Sequence, residues 1–102
     1  MNAQQIIEFL GLEKHPEGGY YREVYRSSEL IPKSALGKQH KADHSVSTAI
    51  YFLLTRDSFS ALHRLSSDEI FHFYLGDPVI LFEIEKNGRS RQTTLGDDLL
   101  HG

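Results

Sequence analysis

The sequence predicts a mainly β protein, an antiparallel sandwich or barrel with one short N-terminal helix. Helical periodicity is clear only over residues 2–10. Six short runs of strand-forming residues follow at close spacing within residues 19–95, divided by turn-forming residues. No helical pattern alternates with these runs, which argues against a parallel α/β sheet.

Residues 2–10 are predicted to be helical because apolar residues recur at i, i+3 and i+4 from Ile6. Asn2 is a suitable N-cap. Gly11 is placed to end the helix in the left-handed conformation, with Leu12 available to fold back onto it.

The first strand is predicted over residues 20–26, and residues 27–45 are predicted to be a long polar loop. The nearly continuous apolar run at residues 46–54 predicts a strand buried on both faces. Asn87-Gly88 predicts a hairpin with a type I′ turn. The other strands are predicted at residues 59–65, 69–75, 79–85 and 89–95.

Length and composition indicate one domain over residues 1–102, with its β core at residues 19–95. A domain this small is marginally stable alone, so a homodimer interface would help it. The net charge of −3 gives no electrostatic footprint for a nucleic-acid polymer. No apolar run is long enough for a membrane span. The absence of cysteine and of a signal-peptide pattern favours the cytoplasm.

The pairing of His63 with Glu69 is the main candidate for chemistry. Strand alternation puts His63 on the face of Phe59, and Glu69 on the face of Phe71. If these phenylalanines line the interior, both polar side chains point inward and can meet. They would then form an acid–base dyad, supply one nitrogen and one oxygen ligand to a divalent ion, or make a satisfied interior pair without a catalytic role.

A metal is the less favoured of these alternatives, and no cofactor is firmly predicted. A catalytic metal site usually has three protein ligands, and Leu65 occupies the position where a second inward histidine would be expected. His40 and His44 are spaced i, i+4, which suits a metal site on a helix. Their segment is loop-like, so the spacing alone assigns no site there.

A second cluster lies at residues 15–23, where paired glycines allow backbone to approach a ligand closely. Glu17, Tyr20 and Arg22 supply polar groups there. Arg22 is either a clamp for a phosphate or carboxylate or a structural residue paired with a neighbouring carboxylate.

Tyr51 shares strand parity with Ser47, so both are predicted to line the same cavity. Phe71 is the predicted apolar contact for a ligand. Tyr51 or Tyr74 is the candidate acid if the protein is an enzyme.

Residues 57–76 resemble the first motif of the cupins, which has a Gly, then His-x-His, then a Glu and a later Gly. His63, Glu69 and Gly76 fit the later spacing. Asp57 replaces the first Gly, and Leu65 replaces the second His, which puts the usual cupin metal in doubt.

Residues 15–23, 47–54 and 63–78 resemble one branch in particular, the small cupins catalogued as a domain of unknown function. The resemblance implies a double-stranded β-helix, or jelly roll, usually assembled as a homodimer and similar in fold to deoxysugar-nucleotide 3,5-epimerases. The second cupin motif is absent, since no proline follows Pro78. The jelly roll is therefore expected to be incomplete, and exposed sheet edges invite a partner.

The resulting prediction is a small cupin with a small-molecule pocket in its β-barrel that binds a nucleotide- or sugar-like ligand. One alternative is an isomerase or epimerase that uses His63 and Glu69, with Arg22 as its clamp. Another is a structural or storage-like cupin without a ligand.

Overall fold

The computed structural model describes residues 1–38, 40–65 and 67–100. It contains two compact units, Met1–Ser67 and Asp68–Gly102, each of which is described by itself. The predicted mainly β class with one short helix is confirmed, and the strand pairs are antiparallel. Within the described residues, no helix has the length and apolar character needed to cross a membrane.

The elements of the first unit are α1 (Ala3–Leu10), β1 (Glu13–Lys14), β2 (Tyr20–Arg26), β3 (Leu30–Ile31), a 3₁₀ turn (Lys33–Ala35), β4 (His44–Ser45) and β5 (Thr48–Leu53). The second unit contains β6 (Val79–Ile84) and β7 (Ser90–Leu95).

The predicted helix forms as α1, and local sequence sets both of its ends. At the start, the Asn2 side chain accepts from the Gln5 N–H and the Gln5 side chain accepts from the Asn2 N–H, each at 2.9 Å. This capping box satisfies two helix donors that would otherwise lack partners.

Gly11 ends the helix in the left-handed conformation, with φ of +64°, as predicted. The N–H groups of Gly11 and Leu12 both donate to the Ile7 carbonyl. Leu12 folds back as predicted and is buried. The end of the helix thereby supplies a buried apolar contact in the first unit.

Strands β1, β2 and β5 form one antiparallel sheet in that order. Directly paired residues in such a sheet point to the same face. We call one side the Arg22 face; it carries Tyr20, Arg22, Tyr25, Ala49, Tyr51 and Leu53. We call the other the Tyr21 face; it carries Tyr21, Glu23, Arg26, Thr48, Ile50 and Phe52.

A bulge in β2 explains an ion pair that regular alternation would forbid. Glu23 pairs with Ile50 and the register shifts before Tyr25, so one extra residue enters β2. The shift brings Glu23 and Arg26 to the same face, where their side chains meet at 2.6 Å.

The apolar run at residues 46–54 does form a strand, but the prediction of burial on both faces is wrong. Ile50 is 47% exposed and Tyr51 is 42% exposed. These two side chains lie on opposite faces of the sheet, so the described part of the chain leaves both faces partly uncovered there.

The prediction of an unstructured loop at residues 27–45 is also wrong. Strands β3 and β4 pair within it, with Ile31 opposite His44. The Asp43 side chain accepts from the Lys33 N–H at 2.8 Å and fixes the 3₁₀ turn against the returning chain. Residues 27–45 contain few apolar side chains, and polar side chains that hydrogen-bond to the backbone stabilise this segment instead.

The strands predicted at residues 59–65 and 69–75 are absent from the described part of the chain. The Ala61 N–H donates instead to the Glu17 carbonyl, at 2.6 Å. Strand-forming side chains do not make a strand unless a neighbour supplies a ladder of hydrogen bonds.

In the second unit, β6 and β7 form the predicted hairpin, but its turn is not type I′. That turn needs positive φ at two central residues, and only Gly88 has it, at +85°. The Gly88 N–H donates to Glu85 and the Glu85 N–H donates to Arg89, which defines a type I turn followed by a bulge. The connection is longer than two residues, so a type I turn fits the strand twist.

Strand β6 alternates regularly between its two faces. One face carries Ile80, Phe82 and Ile84, which are exposed. Glu83 lies on the other face opposite Arg91, whose Nε and Nη2 donate to the same carboxylate oxygen at 2.9 and 2.6 Å. The hydrogen bond and the negative charge of Glu83 raise the pKa of Arg91.

Candidate functional site

The predicted site residues fall into both units. The first unit holds Glu17, Tyr20, Arg22, Ser47, Tyr51 and His63, and the second holds Glu69 and Phe71. A pairing of His63 with Glu69 would join the two units and stays a prediction. Glu69 and Phe71 are both exposed.

Three of the predicted residues share the Arg22 face. Arg22 on β2 lies directly opposite Tyr51 on β5, and Tyr20 lies two residues before Arg22. Arg22 and Tyr51 are exposed, and Tyr20 is half-buried. The sheet therefore presents a guanidinium beside two phenols on one surface.

Arg22 also has a structural contact. Its Nη1 donates to the Leu10 carbonyl at 3.0 Å, at the end of α1. A cation there satisfies a terminal helix carbonyl and complements the negative end of the helix dipole. The acceptor is a backbone carbonyl rather than the carboxylate considered from the sequence. A guanidinium has five N–H donors, and this bond uses one.

Glu17 lies with His15 rather than on the Arg22 face. The Glu17 N–H donates to His15 Nδ1 at 3.1 Å, and Glu17 Oε2 is 3.6 Å from the same nitrogen. The His15 ring packs edge-on against Tyr21 and Phe52, at centroid distances of 5.0 and 5.5 Å. The turn therefore packs against the Tyr21 face, and the predicted ligand cluster divides between two sides of the sheet.

His15 begins the predicted cluster but was not singled out as a site residue. Its ring contacts with Tyr21 and Phe52 depend on how the chain folds, and no sequence motif indicates them. Because His15 Nδ1 accepts a backbone N–H, the neutral ring carries its proton on Nε2.

The close backbone approach predicted at the glycines is made by the chain itself. Gly18 has φ of +110°, and a Cβ there would collide with the Phe59 carbonyl. Together with the bond between Ala61 and Glu17, this contact fixes residues 59–61 against the turn at residues 15–19. His63 therefore follows closely on a segment fixed to the turn at residues 15–19.

His63 has a defined tautomer. Its Nδ1 lies 2.7 Å from the Ala61 carbonyl oxygen, which can only accept a hydrogen bond. Nδ1 therefore donates, and the neutral ring keeps its lone pair on Nε2. The ring is exposed, and strand alternation no longer assigns it to an interior face because residues 59–65 form no strand.

Ser47 lies immediately before β5 and is exposed. Its carbonyl accepts from the Ser27 N–H at 2.9 Å, which ties the end of β2 to the start of β5. Ala49 and Tyr51 share the Arg22 face.

Over residues 1–38, 40–65 and 67–100, no group of three or more His, Cys, Asp or Glu side chains could hold a metal ion. Leu65 cannot supply the missing imidazole of the cupin motif. The described residues thus do not fit the usual cupin metal.

Comparisons with known proteins agree on one family. A family model described as Cupin superfamily (DUF985) matches residues 4–102. The Saccharomyces cerevisiae protein described as uncharacterized protein YML079W is 28% identical over 106 aligned positions, which cover 99% of this chain and 53% of the yeast protein.

Two solved structures are similar to this fold. Protein SO0799 from Shewanella oneidensis has a TM-score of 0.83 and 36% identity, over 97% of this chain and 57% of that one. A hypothetical protein from Leishmania major has a TM-score of 0.85 and 35% identity, over 97% of this chain and 59% of that one. This chain thus spans little more than half the length of these relatives.

Proposed function

Because the chain belongs to the cupin superfamily, in the family described as DUF985, we propose that it binds a nucleotide- or sugar-like small molecule through the Arg22 face. The observation that carries the proposal is the register of β2 and β5, which puts Arg22 opposite Tyr51 and beside Tyr20. Ser47, which shares strand parity with Tyr51, remains proposed as a further contact.

The chemistry of the Arg22 face suits such a ligand. A guanidinium can donate two parallel hydrogen bonds to a phosphate or carboxylate. Phenols offer both an apolar ring and a hydroxyl, which suits bases and sugar hydroxyls. Because Nη1 of Arg22 bonds the Leu10 carbonyl, the side chain is already partly ordered, which lowers the entropic cost of binding.

The test is calorimetric titration of the full chain with UDP-glucose, UMP and glucose, comparing Arg22→Gln with Arg26→Gln. Both arginines lie on β2, but Arg26 is on the opposite face. A hydrogen bond to a charged group contributes about 1.5–3 kcal/mol. Arg22→Gln should therefore weaken binding by about tenfold or more, while Arg26→Gln should leave it unchanged.

Equal losses in the two variants would contradict the assignment to the Arg22 face. Circular dichroism should first establish that Arg22→Gln is folded, since it loses its bond to Leu10. Failure of all three compounds to bind or to raise the melting temperature would favour the structural or storage-like alternative.

An isomerase or epimerase is a second candidate, favoured by the His63 tautomer. The bond from Nδ1 to Ala61 leaves the Nε2 lone pair as a base, in the arrangement that orients many reactive histidines. In this proposal Nε2 removes a proton from a carbon beside a carbonyl. Tyr51 or another acid returns a proton to the opposite face, and the bond from Nδ1 to the Ala61 carbonyl orients the imidazole.

Deuterium incorporation from D₂O into a nucleoside-diphosphate 4-keto sugar would detect that proton transfer by mass spectrometry. His63→Ala should reduce exchange by about 100-fold or more while ligand affinity stays within about tenfold. His72→Ala, which removes an exposed histidine in the second unit, is the control. No exchange with the wild-type protein would count against the enzyme while leaving the binding proposal intact.

We further propose that the protein is a cytoplasmic homodimer. The lack of cysteine supports a reducing compartment, and exposed apolar strand residues support an interface between copies.

A further inference from the structure

A pair of histidines outside the residues assigned above has an unusual environment. His40 and His44 lie in the segment between β2 and β5, and their rings contact each other edge-on with centroids 4.7 Å apart. His40 is only 9% exposed. His44 begins β4 and is half-buried.

His40 has an unsatisfied polar atom. Its Nδ1 is buried and has no hydrogen-bond partner among the described residues. Buried polar atoms in native proteins nearly always have a partner, because burial without one costs free energy. The unpaired Nδ1 of His40 is therefore evidence for a ligand bound at this position.

The distance between the rings fits two imidazoles on one ion. Metal–nitrogen bonds are about 2.0–2.1 Å, and an imidazole centroid lies roughly 1.1 Å behind its nitrogen. Two imidazoles at 90° on one ion therefore hold their centroids about 4.5 Å apart, and two at a tetrahedral angle about 5.2 Å apart. The observed 4.7 Å lies between these values.

We propose that His40 and His44 form a two-histidine site for a nitrogen-preferring divalent transition metal such as Ni²⁺ or Cu²⁺. Two imidazoles in neighbouring positions suit the tetragonal geometry of these ions, and solvent fills the remaining positions. Neither histidine is among the residues proposed above for ligand binding or proton transfer.

The surroundings favour selection by ligand type rather than by charge. Lys38 and Lys41 lie close to the pair in sequence and are exposed, and their positive charges do not attract cations. The Asp43 carboxylate bonds the Lys33 N–H through Oδ1. Mg²⁺ and Ca²⁺ prefer several oxygen ligands and are expected not to bind here.

The test is titration of the untagged full chain with Ni²⁺ by calorimetry and with Cu²⁺ by electron paramagnetic resonance. Loss of an outer-shell partner alone typically lowers metal affinity 10–100-fold, so His40→Ala and His44→Ala should each weaken Ni²⁺ binding by at least about tenfold. His15→Ala and His72→Ala are the matched controls and should keep wild-type affinity.

Two results would overturn the site. One is unchanged Ni²⁺ affinity in both His40→Ala and His44→Ala. The other is a Cu²⁺ spectrum of the wild-type protein without coupling to two imidazole nitrogens. The spectrum requires no variant, so it tests the site even if removal of the buried His40 ring unfolds the segment between β2 and β5.

Discussion

Arg22 belongs to both the fold and the proposed site. Its Nη1 ties the end of α1 to the sheet, while its position opposite Tyr51 places the guanidinium on the proposed ligand face. A bond to a helix terminus stabilises the fold and also fixes the side chain. Structural and binding roles therefore do not exclude each other at this residue.

Gly18 is the residue at which backbone conformation matters most. Its positive φ and its approach to the Phe59 carbonyl both require the absence of a Cβ. Gly18→Ala should lower the free energy of unfolding by about 2 kcal/mol or more, measured by urea denaturation of the full chain.

Gly88→Ala is the matched control for Gly18→Ala. Gly88 also has positive φ, but a Cβ there meets no atom within 4 Å. The control should cost only about 1 kcal/mol, the strain of a left-handed conformation. Equal losses in the two variants would mean that the contact with residue 59 contributes nothing.

At the scale of elements, α1 could be predicted from its sequence, whereas two of the predicted strands could not. The bonds that start and end α1 join residues at most five positions apart, as between Asn2 and Gln5. A strand instead depends on a neighbour. Residues 59–65 have the composition of a strand, but their described bond to Glu17 is made with a turn.

The hairpin of β6 and β7 also has one feature that the sequence predicts and one that it does not. The sequence predicted where the chain reverses, because Asn87 and Gly88 are turn formers. It did not predict the turn type, which depends on the number of residues between the last paired positions, Ile84 and Ser90.

The ion pair across this hairpin adds little dependence on pH. Glu83 raises the pKa of Arg91. A raised pKa stabilises the fold below the ordinary arginine range and loses that effect only as pH rises above it. Arg91 therefore stays charged throughout the physiological pH range, and exposure of the pair limits its contribution to stability.

At the scale of the whole molecule, apolar side chains remain uncovered in both units. Ile80 is 66% exposed and Ile84 is 54% exposed, on the same face of β6. Contiguous exposed apolar surface commonly marks an interface. This surface is the physical basis for the proposed homodimer.

The homodimer predicts a specific response to substitution on β6. Sedimentation velocity at micromolar concentration should show a dimer, and Ile80→Ser combined with Phe82→Ser should shift it toward monomer. Arg89→Ser, at an exposed position in the turn of the same hairpin, should leave the dimer intact. A compact wild-type monomer at that concentration would contradict the homodimer.

The sequence alone was sufficient for the fold class, the helix and its caps, the family, and the strand Tyr20–Arg26. These depend on local hydrogen bonds, on alternation within a strand, and on long motifs. Tertiary structure decided the contact between His15 and Phe52, the pairing of Arg22 with Tyr51 and the burial of His40. Such features depend on which distant segments meet, and that is set by competition among many weak contacts rather than by any one stretch of residues.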